Sequence, residues 1–284
     1  MKVKLIDTLL YSNIFIGIAA LLQTWLYAHL YFGVVHLDLL LYVYAGTQLS
    51  YTFLIGFPKK SSEETRDAWI LNNKRILLFI SLFSCILITY ALYHIENRFY
   101  LILPSIVVLV YKSTLKNKYY TLRNIPYTKF LVISIVWVYT TQMMNVIIYH
   151  SINEISSILL SQQLLFISSL ALFFDYKDQK SDHSNNIKTI AQILSLEKLK
   201  VLYLFMNVLS LIILILNAEY YLIILLQSFI IAYSYFLFRY VKTSIDSRSF
   251  SLKMDGVIVV SSLFYLIINY EKLSVVTEYS LLCK

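Results

Sequence analysis

The chain has 284 residues, of which 59% are hydrophobic and 14% charged, with a formal net charge of +8. A soluble globular domain carries about 45–50% apolar and about 25% charged residues, so a core facing water could not hide this much apolar surface. The long unalternating apolar runs argue against a β-barrel. Basic residues placed between those runs argue for orientation in a membrane and against nucleic-acid binding.

Nine apolar runs follow in chain order, at 9–31, 35–57, 75–94, 99–114, 128–149, 156–174, 199–217, 220–240 and 255–270. In lipid the backbone must satisfy its own hydrogen bonds, so each run is expected to be a helix. The first follows Lys2 and Lys4 and is too long, and too polar at its start, for a cleaved leader. The second contains Thr47, Gln48, Ser50 and Thr52, and Lys59, Lys60, Arg66, Lys74 and Arg75 come after it. The third precedes a short turn holding Arg98. After the fourth come Lys112, Lys116, Lys118, Arg123 and Lys129. The fifth contains Gln142 and Asn145 and the sixth Gln162 and Gln163, amides expected mainly to join helices by hydrogen bonds. Lys177, Lys180, Lys188, Lys198 and Lys200 follow the sixth run, and Arg239, Lys242, Arg248 and Lys253 flank the join between the eighth and ninth. Asp255 opens the ninth.

Thus 21 of the 24 basic residues fall in the N-terminal tail and the even-numbered connections. That split predicts a cytoplasmic N-terminus and cytoplasmic even loops. The expected architecture is all-α: a polytopic membrane protein of about nine transmembrane helices, forming one domain over 1–284. A bacterial inner membrane is the expected location. Cys85 and Cys283 form no disulfide or metal pattern. The five His residues (29, 36, 94, 150 and 183) make no ligand pair, and no Gly-rich phosphate loop or HExxH is present. An ion-coupled transporter usually needs an acidic residue at mid-membrane, and the runs have none there.

The chemistry concentrates after the sixth run, in Phe173-Phe174-Asp175-Tyr176-Lys177-Asp178-Gln179-Lys180-Ser181-Asp182. On a continuing helix, spacings of i, i+3 and i+7 put Asp175, Asp178 and Asp182 on one stripe. Three such carboxylates suit a hard cation, and Mg²⁺ commonly bridges protein carboxylates to phosphates. The bland counterpart is a solvated loop of mixed charge capping the helix.

These residues, followed by Ile187-Lys188-Thr189, resemble the second aspartate motif of UbiA-type membrane prenyltransferases, which lies in the cytoplasmic loop after the sixth of nine helices. Tyr111 with Leu115-Lys116 resembles the family's Tyr-x-x-x-Leu-Lys. Leu122-Arg123-Asn124-Ile125-Pro126, with Lys129 and Trp137, and Asp255-Gly256 are similar to stretches in small bacterial relatives. The specific motifs cover roughly thirty residues. The resemblance implies a UbiA-like bundle that moves a prenyl group from a Mg²⁺-bound isoprenyl diphosphate to a lipid-soluble, possibly aromatic acceptor. Asp175, Asp178 and Asp182 would hold the metal, and Tyr111, Lys112, Lys116, Arg123 and Lys188 the diphosphate. The expected partners are the diphosphate, the acceptor and membrane lipid, with no nucleic acid and no assigned catalytic residue.

The sequence departs from the family where its first motif, N-x-x-x-D-x-x-x-D, belongs. That place reads Gly46 to Phe57 with no carboxylate, and Gln48 and Thr52 are the polar groups expected to line the pocket instead. Asn186 stands where the family has Gly before Ile-Lys-Thr. The alternative expectation is therefore a catalytically inactive member that binds an isoprenoid lipid or acts as a structural membrane partner.

Overall fold

The computed structural model describes residues 5–56, 65–112, 125–149, 154–184, 187–216, 221–240 and 247–268. Leu, Ile, Val and Phe dominate these segments, and with 5 Gly and 3 Pro in the whole chain little interrupts a helix. The described residues are accordingly helical, with no strand among them. The helices are α1 (Leu5–Tyr11), α2 (Ile14–Phe32), α3 (Leu37–Ile55), α4 (Thr65–Asn72), α5 (Lys74–His94), α6 (Arg98–Lys112), α7 (Lys129–Val138) and α8 (Met144–Ile148). They continue with α9 (Glu154–Lys177), α10 (Gln179–Ser184), α11 (Leu196–Leu216), α12 (Tyr221–Tyr240) and α13 (Ser247–Ile268). A π turn, Tyr139–Met143, joins α7 to α8, and a 3-10 turn, Ile190–Gln192, precedes α11. Gly33 and Gly56 end α2 and α3 at φ 65° and 68°, a backbone region where glycine carries no Cβ penalty.

A helix lies over each of the nine apolar runs, but the expectation of nine spans is not met. Among the described residues, four helical stretches are long and apolar enough to cross a membrane: Lys74–His94, Lys129–Ile148, Ser157–Lys177 and Leu196–Leu216. A fifth is added if Leu5–Tyr11 and Ile14–His29, bent by 67°, make one broken span. The physical reason is dilution of the apolar runs. Helix α3 carries Asp38, Thr47, Gln48, Ser50 and Thr52; α13 opens with Arg248, Lys253 and Asp255; α6 has only 15 residues.

The chain groups into two compact units, Met1–Arg98 with Ser247–Lys284, and Phe99–Asp246. In the first, α2 packs on α3 and α13, and α3 on α5. A Cβ on Gly17 would come within 3.0 Å of the Tyr44 carbonyl oxygen, so the small residue sets how closely α2 and α3 approach. Tyr11, Trp69, Ile70 and Leu77 form a buried cluster joining α1, α4 and α5. Leu78, Phe79, Leu82, Phe83 and Ile86 of α5 are exposed, a large apolar surface that suits lipid as solvent.

In the second unit α9 is the central helix, packed on α7 and on α11. Phe130, Ala171 and Leu172 form its core, with Ile190, Leu202 and Met206 against them. Phe173 meets Tyr203 edge-on at 5.3 Å between ring centroids. Gln162 donates to Ser210 Oγ at 2.9 Å and to Gln227 Oε1 at 2.7 Å, which ties α9, α11 and α12 by side-chain amides.

Candidate functional site

The acidic stripe forms because the helix carries on past the apolar run. Asp178 N–H donates to Phe174 O at 2.9 Å and Asp182 N–H to Asp178 O at 2.8 Å, which keeps helical spacing across the α9–α10 join. Asp175, Asp178 and Asp182 therefore come to one side, as their spacing predicts. They converge on Lys129, the first residue of α7. Its Nζ lies 2.7 Å from Asp182 Oδ2, 3.2 Å from Asp175 Oδ1 and 3.8 Å from Asp178 Oδ2. Lys129, Asp175 and Asp182 are buried, whereas the Asp178 side chain keeps 43% of its exposure. Lys177 Nζ sits 3.8 Å from the other oxygen of Asp178.

The charges do not balance at the buried end. Two buried carboxylates, Asp175 and Asp182, share one buried ammonium, while the half-exposed Asp178 lies between it and Lys177; Asp175, only 1% exposed, meets Lys129 as an ion pair through Oδ1. Among the described residues Asp175 Oδ2 has no hydrogen-bond partner. A buried carboxylate oxygen in that state costs a few kcal/mol, on the order of 1–3.

Two segments meet beside this centre. Tyr127, at φ 68°, donates its N–H to Lys188 O at 2.9 Å, and Ile187 N–H donates to Asp182 O at 2.9 Å. Gln179 Nε2 donates to Ala191 O at 3.0 Å and Gln192 Nε2 to Ile187 O at 2.8 Å. The segment before α7 and the segment after α10 are thus tied by backbone and amide contacts. Lys188 is exposed in this strap, and Thr189 is buried.

The other expected ligand residues fare differently. Tyr111 is buried near the end of α6 and Lys112 closes that helix. Lys116 and Arg123 lie outside the described residues. Gln48 and Thr52, expected to line a pocket, belong to a hydrogen-bonded knot within the first unit. At the α1–α2 break, Asn13 takes φ 64°, and Gln48 Nε2 donates to Ser12 O at 2.8 Å and to Thr52 Oγ1 at 3.0 Å. Ser84 Oγ donates to Gln48 Oε1 at 2.8 Å, and Asn13 Nδ2 to Thr52 Oγ1 at 3.1 Å. Both amide donors and the acceptor of Gln48 are used, at 0% exposure.

Lys129 is the residue that the sequence reading passes over. It counts there as one of five loop charges and as part of the stretch similar to small bacterial relatives, without a role beside the aspartates, although its place directly before a long apolar run is a signal for a buried or half-buried ammonium. The Asp175 set as arranged does not fit Mg²⁺. Among the described residues no group of three His, Cys, Asp or Glu could hold a metal ion, and the point between the carboxylates belongs to Lys129 Nζ. A divalent ion squeezed in beside the ammonium, about 4 Å away, would meet a repulsion on the order of 8 kcal/mol at an effective dielectric of about 20.

No protein-family model matches the chain, and no curated protein matches it.

Proposed function

We propose that the chain is a helical membrane protein that binds an isoprenoid lipid without Mg²⁺-dependent turnover of a diphosphate. The observation that carries this reading is Lys129, seated where a metal on Asp175, Asp178 and Asp182 would be. Gln48 adds to it, since the place of the family's other acidic motif holds a neutral, buried amide engaged in hydrogen bonds, with no anionic oxygen for a cation. The isoprenoid follows from the resemblance of the Asp175–Thr189 stretch to prenyltransferases and from the apolar character of the helices. The split of 21 of 24 basic residues supports an orientation with the N-terminus and the Lys129 centre on the cytoplasmic side of a bacterial inner membrane.

The test is a panel of C10 to C20 prenyl alcohols and diphosphates offered to purified protein in detergent, with Mg²⁺ or with chelator. Saturable binding of an isoprenoid, equal in both conditions and without release of diphosphate, is the expected result. Failure of every member of the panel to bind would overturn it. A Mg²⁺-dependent prenyl transfer is the second reading, favoured by the convergence of the three carboxylates and by Asp175 Oδ2, which has no hydrogen-bond partner among the described residues. Diphosphate release that needs Mg²⁺ and is lost in Asp175→Asn would establish that reading instead.

A further inference from the structure

The chain turns sharply before its first long helix, and hydrogen bonds hold the turn. Helix α1 is bent by 67° from α2, Asn13 takes φ 64° at the break, and Gln48 Nε2 donates to the freed Ser12 O at 2.8 Å. Helix α2 has 19 residues, about 28 Å of rise, which matches the roughly 30 Å of a bilayer's hydrocarbon without help from α1. With α2 along the membrane normal, the bend lays α1 closer to the membrane plane than to the normal. Packing sets its depth. Tyr11 is buried with Trp69 and Ile70 of α4 and with Leu77 of α5, which follows Lys74 and Arg75 within one turn. Exposed Leu78, Phe79 and Leu82 come next on α5, so contact with lipid begins at this level. A Cβ on Gly256 would lie 3.9 Å from Phe15 Cζ, which puts the first turn of α2 beside α13 just after Lys253. Helix α1 packs on both α4 and α13.

We infer that α1 lies in the membrane surface as an anchor, and that this end of the first unit docks anionic phospholipid headgroups through Lys74, Arg75 and Lys253. Two properties carry the inference. The exposed residues at the start of α1 are apolar: Leu5 is 75% exposed and Ile6 44%. Side chains of this kind, held at the level where the bilayer begins, are favoured in its acyl boundary over water. The exposed charge at the same level is basic. Lys74, Arg75 and Lys253 are exposed and, among the described residues, pair with no carboxylate, whereas Asp7 and Asp67 are half-buried and Asp255 is buried. Cations along a membrane edge attract the negative headgroups of the leaflet they face. The inference rests on the helices being embedded in a membrane and goes beyond the isoprenoid reading, which it does not need.

The experiment uses the full-length protein reconstituted in vesicles of phosphatidylcholine, alone or mixed with phosphatidylglycerol. A spin label is placed at Leu5→Cys or Ile6→Cys, both exposed positions, in a chain carrying Cys85→Ser and Cys283→Ser. Its depth is read from collisions with oxygen and with a water-soluble nickel chelate. The label is expected about 5–10 Å below the phosphates. A label wholly in water, or one at the bilayer centre, overturns the inference. Headgroup preference is read on the wild-type chain, from spin-labelled phosphatidylglycerol held at the protein relative to spin-labelled phosphatidylcholine. The wild type is expected to favour phosphatidylglycerol, and Lys74→Gln with Arg75→Gln and Lys253→Gln to lower that preference about fivefold or more. No preference in the wild type, or one that the triple variant keeps in full, overturns the inference as well. The wild-type measurement needs no substitution, so the test stands even where a variant does not fold. No isoprenoid enters these measurements, so their failure is distinct from a failure to bind one.

Discussion

The first compact unit buries a neutral polar cluster around Gln48 and the second a charged one around Lys129, and these two clusters solve the same physical problem in opposite ways. In the first unit Gln48, Ser12, Asn13, Thr52 and Ser84 carry no formal charge, and the Gln48 amide has every donor and acceptor engaged. In the second unit Asp175 and Asp182 are two buried carboxylates on the single buried ammonium of Lys129, and among the described residues Asp175 Oδ2 has no hydrogen-bond partner. A fully satisfied neutral network rigidifies a fold, and an unbalanced charged one stores free energy that a ligand or a proton can draw on. The comparison teaches that the knot is packing and the charged centre is the place to look for function.

The comparison breaks most visibly at Lys129. Lys129→Ala leaves three carboxylates crowded and is expected to destabilise the protein by about 3–5 kcal/mol, measured by denaturant or thermal unfolding. Gln48→Ala should cost less, about 1–3 kcal/mol, because it strips a donor from Ser12 O and an acceptor from Ser84 Oγ without stranding a charge. Gln162→Leu removes one amide from the α9–α11–α12 tie, and side-chain hydrogen bonds between membrane helices are worth about 0.6 kcal/mol each, so a loss of about 1 kcal/mol is expected. The smallest effect is expected at Asp178→Asn, within about 0.5 kcal/mol, because its side chain is partly solvated and its contact with Lys129 is the longest of the three. A larger loss there would mean that Asp178 holds Lys129 in place, and would narrow the difference between the two clusters.

Much of the fold is legible in the residues, because hydrophobic runs and helical spacing are local properties. A helix lies over each of the nine runs, and the i, i+3, i+7 stripe of Asp175, Asp178 and Asp182 is met. The number of long apolar spans is less legible. Tyr, Thr and Gln inside α3 sit in an apolar run by eye, yet they lower its hydropathy below that of α5 or α11. The break between α1 and α2 carries neither Gly nor Pro. Asn13 bends the chain through the left-handed region, which Asn tolerates better than most residues. Since the break is hidden, so is the need for Gln48 to serve the freed carbonyl of Ser12. The partner of the acidic stripe is hidden for another reason. Lys129 is one of several cations in the even loops, and nothing local to residue 129 says that it meets carboxylates in a helix so far along the chain.

The ion pair of Lys129 with Asp182 spans 53 positions of sequence, which gives the centre a biogenesis as well as a geometry. At about 5–20 residues per second, roughly 3–10 s separate the synthesis of Lys129 from that of Asp182. During that interval the lysine leads an apolar helix with no carboxylate to receive it, and the cheapest place for its ammonium is the water at the membrane edge. The carboxylates arrive at the same edge, carried there by the next helix. The centre can therefore close only after the chain has been made as far as these carboxylates, and a chain cut short before Asp175 would leave Lys129 without any of the three.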